Sequence, residues 1–378
     1  MNTFGFDLTS YLSDLEFLVN IDSGSYDREG VCKISGFFAA EFAKLGWSSR
    51  EVHVHDDLAP CLEVFSPGCG DTIDYLLLAH ADTVFPKGTA AERPFSTKDG
   101  RAYGPGVMDM KSGALFALYL ARAYHTAGKV PPSICVAVNS HEEIGSRHAR
   151  SWIEDLARRT RRALVLEPAR SNGDLVIARK GSCRYTFTFN GKAAHSGVDP
   201  QNGASAINEL AHWTLELHKL TDFVQGMNLN VGLIEGGTSV NAVADAARAE
   251  LDVRISTQEQ ADAVRRRIDE LQSSPSTAGV TVDVSGGMTR PPMPASEANR
   301  DLATVFDEAA LGLGMKIGWQ HTGGGSDGNF TAALGVPTVD GVGPVGGAAH
   351  SRDEYLEIAS ISERFALLMA VVGKSNQN

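Results

Sequence analysis

The residues best suited to chemistry are histidines and acids that follow short apolar runs. His80 and Asp82 close the segment "YLLLAHADTVFP"; His141, Glu142 and Glu143 follow "SICVAV" in "NSHEEIGS"; Glu167 follows "RALVL". Asp109 and His350 stand in glycine-rich loops, "YGPGVMDMKSG" and "GPVGGAAHS". Two imidazoles and three carboxylates held together repel unless a cation neutralises them. Imidazole mixed with carboxylate favours Zn, Mn or Co over Ca or Mg. Five ligands are many for one closed site, and two metals sharing a bridging carboxylate accommodate them, as in aminopeptidases. In the Glu142–Glu143 pair one acid can bind metal while its neighbour serves as a general base.

Each element has a bland reading of its own. His-x-Asp is commonly a satisfied pair on the surface or in a core. Two glutamates after a strand commonly open a helix, where acids suit the macrodipole. Glu167 before Pro168 reads as a turn residue. The metal reading rests on convergence, and convergence depends on the elements that carry these residues.

The first half of the chain alternates two periodicities. Ile34, Phe37, Phe38, Phe42 and Leu45 follow a 3.6-residue repeat, with Gly46 where a helix would stop. The runs "YLLLA", "SICVAV" and "RALVL" are apolar on both faces, and helical segments ("KSGALFALYLARAYHTAG" and "SRHARSWIEDLARRT") separate them. That predicts an α/β fold with a mostly parallel sheet covered by helices on both faces. Ligands of such sheets bind beyond the carboxyl ends of the strands. Three successive strands therefore deliver histidines and carboxylates to one edge.

Near residue 183 the pattern changes. "CRYTFTFNG" alternates strictly, as in a strand with one wet face. A helix at about 202–220, strand-like "NLNVGLI" and "ARAELDVRIS", a helix at about 258–273 and "GVTVDVSG" complete a compact α+β unit, which ends at the proline-rich "RPPMPA". Strand–helix alternation then resumes with "MKIGWQ" and "VPTVDGVG". The expected organisation is a catalytic domain in two parts, 1–181 and 293–378, with an inserted α+β domain at 182–292.

The 378 residues include 43 % hydrophobic residues, enough for each domain to bury a core, and carry a formal charge of −12. This charge opposes unspecific contact with nucleic acid or anionic membrane, so neither is an expected partner. No segment reaches the roughly 20 apolar residues of a membrane span. "MNTFGFDLTS" has no basic stretch leading into an apolar one, which makes the cytoplasm the expected location. Five cysteines without a C-x-x-C pair read as free thiols in a reducing compartment.

"HADTVFP", "YGPGVMDMKSG", "NSHEEIGS", "LEPAR" and "GGAAHSRDEYLE" together resemble the five metal-site motifs of the M20 metallopeptidases, in particular the glutamate carboxypeptidase branch. The resemblance spans nearly the whole chain and identifies the insertion with that family's lid or dimerisation domain. It implies two divalent ions, Zn2+ with Mn2+ or Co2+ as alternatives. His80, Asp109 and Glu167 would hold one ion. Asp109, Glu143 and His350 would hold the other, with Asp109 bridging. It further implies that Asp82 orients the first histidine. Glu142 would be the base that deprotonates a metal-bridging water for attack on an amide.

In the insertion, "GKAAHSGVDP" matches a segment whose histidine, here His195, reaches the neighbouring subunit's site in a homodimer. "GGTSVNAVADAARAELDVR" matches one supplying Asn241 and Arg254. Arg290, where the insertion rejoins the body, corresponds to an arginine for the substrate's terminal carboxylate, a role for which Arg254 competes. "TGGGSDGNF", which contains Gly325, matches the glycine-rich substrate loop. The implied activity is that of a carboxypeptidase or N-acyl-amino-acid amidohydrolase acting on a small peptide or N-acyl amino acid, with aminopeptidase or dipeptidase as the alternative.

Two rival readings remain. "GGSDG" fits the G-x-S-x-G pattern of a nucleophile elbow, and Ser326, Asp340 and His350 fall in hydrolase order. That reading leaves Asp109, Glu142, Glu143 and Glu167 unexplained. A silent binding scaffold would be marked by missing ligands or a missing base, and all are present.

Overall fold

The computed structural model describes residues 5–374. The described residues form two compact units: the stretch up to 178, residues 295–322 and the stretch from 326 make the first, and residues 179–294 with 323–325 make the second.

The first unit is built on a six-stranded sheet. Its strands lie in the order Ser48–Val52, Cys61–Phe65, Ile134–Asn139, Tyr75–His80, Ala163–Val165 and Thr338–Val339. The last four run parallel, while the first two are antiparallel additions at one edge. The parallel strands are apolar on both faces because both faces are covered: every residue of Tyr75–His80 and of Ile134–Asn139 is buried. On one side lies helix Gly113–Thr126, whose Leu115, Phe116, Leu118 and Leu120 are all fully buried. Helix Arg28–Lys44 begins at Asp27, whose carboxylate accepts from the Gly30 N–H. The chain turns away at Gly46, where φ is +78°.

Register decides where the chemistry falls. His80 is level with Asn139, and Leu78 with Val165, so three neighbouring parallel strands end at the same edge. The strand that presents His80 lies between the other two.

A second, antiparallel sheet was not anticipated from periodicity. It orders the short strands Gly346–Gly347, Tyr355–Glu357, Arg101–Tyr103 and Ser96–Lys98. Tyr355 pairs with Tyr103, so the loop leading to Asp109 leaves one strand and the loop containing His350 enters its partner. These strands have two or three residues each, too few to show a period of two.

Other boundaries also moved. The segment expected as one helix from Lys111 opens with an irregular turn, Val107–Ser112, in which Asp109 and Met110 leave helical geometry. Helix Arg150–Ala157 is shorter than its parent segment, and only Trp319–Thr322 of the region around "MKIGWQ" pairs as a strand.

The second unit is a four-stranded antiparallel sheet in the order Asn228–Gly236, Ala246–Ile255, Gly181–Asn190 and Thr281–Arg290. Helices Ala206–His218 and Gln258–Ser273 pack on it, the latter started by a reciprocal Thr257–Gln260 cap. Alternation in "CRYTFTFN" sends Tyr185, Phe187 and Phe189 into the core, where Phe187 and Phe189 meet Trp213 edge-on. All five cysteines are free. Among the described residues no helix is long and apolar enough to cross a membrane.

Candidate metal centre

At the carboxyl edge of the first unit's sheet the expected residues meet. His80 is the last residue of its strand and is 2 % exposed. Its Nε2 lies 3.2 Å from Asp109 Oδ1 and 3.5 Å from Glu167 Oε1. His350 Nε2 lies 3.2 Å from Asp109 Oδ2 and 3.2 Å from Glu143 Oε2. Asp109 thus turns one carboxylate oxygen to each imidazole. Potential ligand atoms of His80, Asp109 and Glu143 fall within one cluster, and those of His80, Glu142 and Glu167 within another.

The donor set fits divalent metal. Imidazole nitrogens and carboxylate oxygens are the ligands of Zn, Mn and Co sites. One acceptor calls for a cation: Glu143 Oε1 is buried with no hydrogen-bond partner. The electrostatics agree. Burial disfavours a charged His80, yet Asp109, Asp82 and Glu167 hold its pKa well above the ordinary value. Asp109 and Glu143 raise His350 to about 10. Burial raises Glu143, against the pull of His350. Acids outnumber bases here, and positive charge is drawn in.

Asp82 is fully buried and does more than aim the histidine. Its main-chain carbonyl meets His80 Nδ1 at 3.0 Å, and its carboxylate lies 3.4 Å from the same nitrogen. The carboxylate also accepts the backbone N–H groups of Glu142 (3.0 Å) and Glu143 (3.1 Å) and the Ser25 hydroxyl (2.6 Å). Burial would raise its pKa, but His80, Ser25 and the Glu143 amide lower it. One residue therefore holds the ring, through its carbonyl and carboxylate, and the loop of paired glutamates, through its carboxylate.

That loop has a second anchor. Asn139 accepts from the His141 N–H at 3.1 Å and donates to Asp327 at 2.7 Å, and Ser146 donates to the same acid. The anchoring roles of Ser25, Asn139 and Asp327 were not legible in the sequence: Ser25 and Asp327 lie outside the metal-type motifs, and Asn139, which opens "NSHEEIGS", is not a metal-ligand type. Glu354, within the quoted "HSRDEYLE", was also passed over; it is 1 % exposed and faces the Asp109 loop.

The nucleophile-elbow reading of Ser326 does not hold. Ser326 is fully buried, and its hydroxyl donates to Asp340 and accepts from the Gly328 N–H. His350, its supposed base, is engaged with Asp109 and Glu143. The serine closes a turn before helix Gly328–Ala333.

His195, Asn241, Arg254, Arg290 and Gly325 all belong to the second unit. There His195 and Asn241 are brought together: His195 bridges Ala242, and the Ser196 N–H donates to the Asn241 carbonyl. The His195 ring accepts the Gly197 N–H at Nδ1. Arg254 pairs with Asp252 on its own strand at 2.9 Å. Arg290 is 7 % exposed at the end of the last strand. Gly325 lies in a loop whose Gly324 carbonyl accepts from Arg179.

An edge of three acids and two histidines on this α/β fold defines a metallopeptidase, and the chain belongs to peptidase family M20/M25/M40, whose model matches residues 76–374. It is 30 % identical over 376 residues to carboxypeptidase G2 of Pseudomonas sp. (strain RS-16), covering 96 % of this chain and 88 % of that protein. Its fold matches a tripeptidase from Staphylococcus aureus (TM-score 0.81, 22 % identity, 98 % of this chain and 99 % of the other). It also matches the aminopeptidase PepT of Bacillus cereus (TM-score 0.78, 21 % identity, 98 % and 99 %).

Proposed function

We propose that the protein is a di-metal amide hydrolase that releases a C-terminal amino acid, such as glutamate, from a small peptide or an N-acyl amino acid. The observation that carries this reading is Asp109, whose two carboxylate oxygens face His80 and His350 at equal distance. His80, Asp109 and Glu167 would hold one ion, and Asp109, Glu143 and His350 would hold the other. Divalent metal at these positions supplies Lewis acidity, polarising a carbonyl and acidifying water.

The chain's own residues do the rest. Glu142, steered by Asp82, takes the proton from the attacking water and delivers it to the leaving nitrogen. The Gly197 N–H on His195 Nδ1 leaves the proton on Nε2, the tautomer that donates to an oxyanion. Such a donor is worth about 2.7–4 kcal/mol in the transition state. Asn241 is the second donor, and Gly325 belongs to the substrate loop. Arg290, with Arg254 as the competing candidate, receives the terminal carboxylate, which a planar guanidinium fork pairs bidentately. The second unit mediates a homodimer: its outer strand, Asn228–Gly236, is an edge with Leu233 and Ile234 exposed.

The deciding experiment strips the protein with a chelator, reloads it with Zn2+, Mn2+ or Co2+, and screens N-acyl amino acids, dipeptides and tripeptides. Turnover of substrates with a free C-terminal carboxylate, lost when that carboxylate is amidated, is expected. Preference for a free N-terminal amine would transfer the assignment to the aminopeptidase reading.

A further inference from the structure

The two loops that supply Asp109 and His350 are joined by one buried acid. Glu354 lies four residues beyond His350, just before the strand Tyr355–Glu357. Its Oε1 accepts the backbone N–H groups of Met108 (2.9 Å) and Asp109 (3.1 Å), and its Oε2 accepts that of Gly106 (3.1 Å). Those amides open an irregular turn in which Asp109 sits at φ −109°, ψ 95°, so no regular helix fixes the acid's direction. Glu354 supplies what the helix does not.

The other end of this link is under local strain. Ala348 and His350 adopt φ of 57° and 62°, a left-handed region unfavourable for residues with a Cβ. Such backbone persists where its surroundings over-determine it. Two contacts do so. Glu354 ties the loop's far end to the Asp109 turn. Arg93 donates to the Ser351 and Arg352 carbonyls (3.4 and 2.9 Å) while its guanidinium rests 4.7 Å from the centre of the Phe85 ring. The two metal positions are unequal in this respect. His80 ends a buried central strand, whereas the His350 side chain is 54 % exposed on a loop.

We propose that Glu354 is a positioning residue that clamps the Asp109 turn to the His350 loop and thereby sets the second metal position, that of Asp109, Glu143 and His350. The proposal rests on the reading of Asp109 as the shared ligand. A carboxylate is needed because all three facing groups are donors. Glutamine would turn its own N–H2 toward one of them, and alanine would leave three buried amides unpaired.

The test is stepwise metal titration of the chelated full-length protein, followed by equilibrium dialysis and by the visible spectrum of bound Co2+. Wild type should bind two ions. Glu354→Gln should weaken the first ion, which shares Asp109, by no more than about a few-fold and bind the second 10–100-fold more weakly, the range seen when a partner behind a ligand is removed. Its kcat should fall at subsaturating metal and recover at excess, with KM little changed. Two ions bound as tightly as in wild type, or equal weakening of both, overturns the proposal. Wild type binding fewer than two ions would instead overturn the di-metal reading beneath it. If Glu354→Gln does not fold, Arg93→Gln tests the same loop from its outer side, and second-ion affinity unchanged there overturns the clamp.

Discussion

The carboxylate of Asp82 accepts the backbone N–H of Glu142 at 3.0 Å, so the acid beside the histidine also holds the proposed base in place. Asp82→Asn should therefore damage two things at once. The amide nitrogen would face either the Glu142 or the Glu143 N–H, and the loop would shift. We expect kcat to fall by about 10–100-fold with a smaller change in metal affinity. Parallel measurement of kcat and metal content checks this; metal loss without a defect in the fully loaded enzyme would assign Asp82 to His80 alone.

Glu142 and Glu143 are neighbours for which different jobs are proposed. Glu142→Ala should retain both ions and lose at least about 100-fold in kcat. Glu143→Ala should lose one ion. Elemental analysis beside kinetics separates the two outcomes, and an unchanged rate in Glu142→Ala would remove it as the base.

Metal uptake should release protons. Asp109 and Glu143 raise His350 to about 10, and Asp109, Asp82 and Glu167 hold His80 well above its ordinary value, so in the chelated protein both rings are protonated near neutrality. A metal needs their lone pairs, so binding displaces protons and tightens as pH rises. A histidine with a raised folded pKa stabilises fully below its unfolded value, about 6.5, and that contribution is lost as pH rises through about 10. Melting temperature of the chelated protein should fall across that window, while metal-loaded protein should resist. A pH indicator in weak buffer reads the proton release; no release would refute protonated rings.

Ser326 should prove structural. Ser326→Ala removes a buried hydroxyl that donates to Asp340, at a cost of about 1–3 kcal/mol in stability. The folded variant should keep kcat within a few-fold, and a fluorophosphonate should not label the wild type. Covalent labelling at Ser326 would reopen the serine mechanism.

Much of the fold is legible in the sequence. "YLLLAH" and "SICVAVN" read as buried parallel strands because continuous apolar runs are stable only where both faces are covered. Their ends could be listed with the histidines and acids they carry. The inserted unit was legible in the strict alternation of "CRYTFTFN", which sends one side of a strand into a core and leaves the other wet.

What the linear chain could not contain was register and closure. Whether His80 stands level with Asn139 depends on hydrogen bonds between strands some sixty residues apart. The pairing of Tyr103 with Tyr355, which draws Asp109 and His350 together, joins strands too short for any periodicity to mark. The elbow-like "GGSDG" was undone by burial, a property of what packs around a residue rather than of the residue itself. Composition and spacing determined which groups were available for metal chemistry. Only the tertiary structure decided that Asp109 faces two histidines, that Asp82 grips the glutamate loop and that Glu354 grips the Asp109 turn. Those relations come from backbone amides and side chains that are distant in sequence and made neighbours by folding.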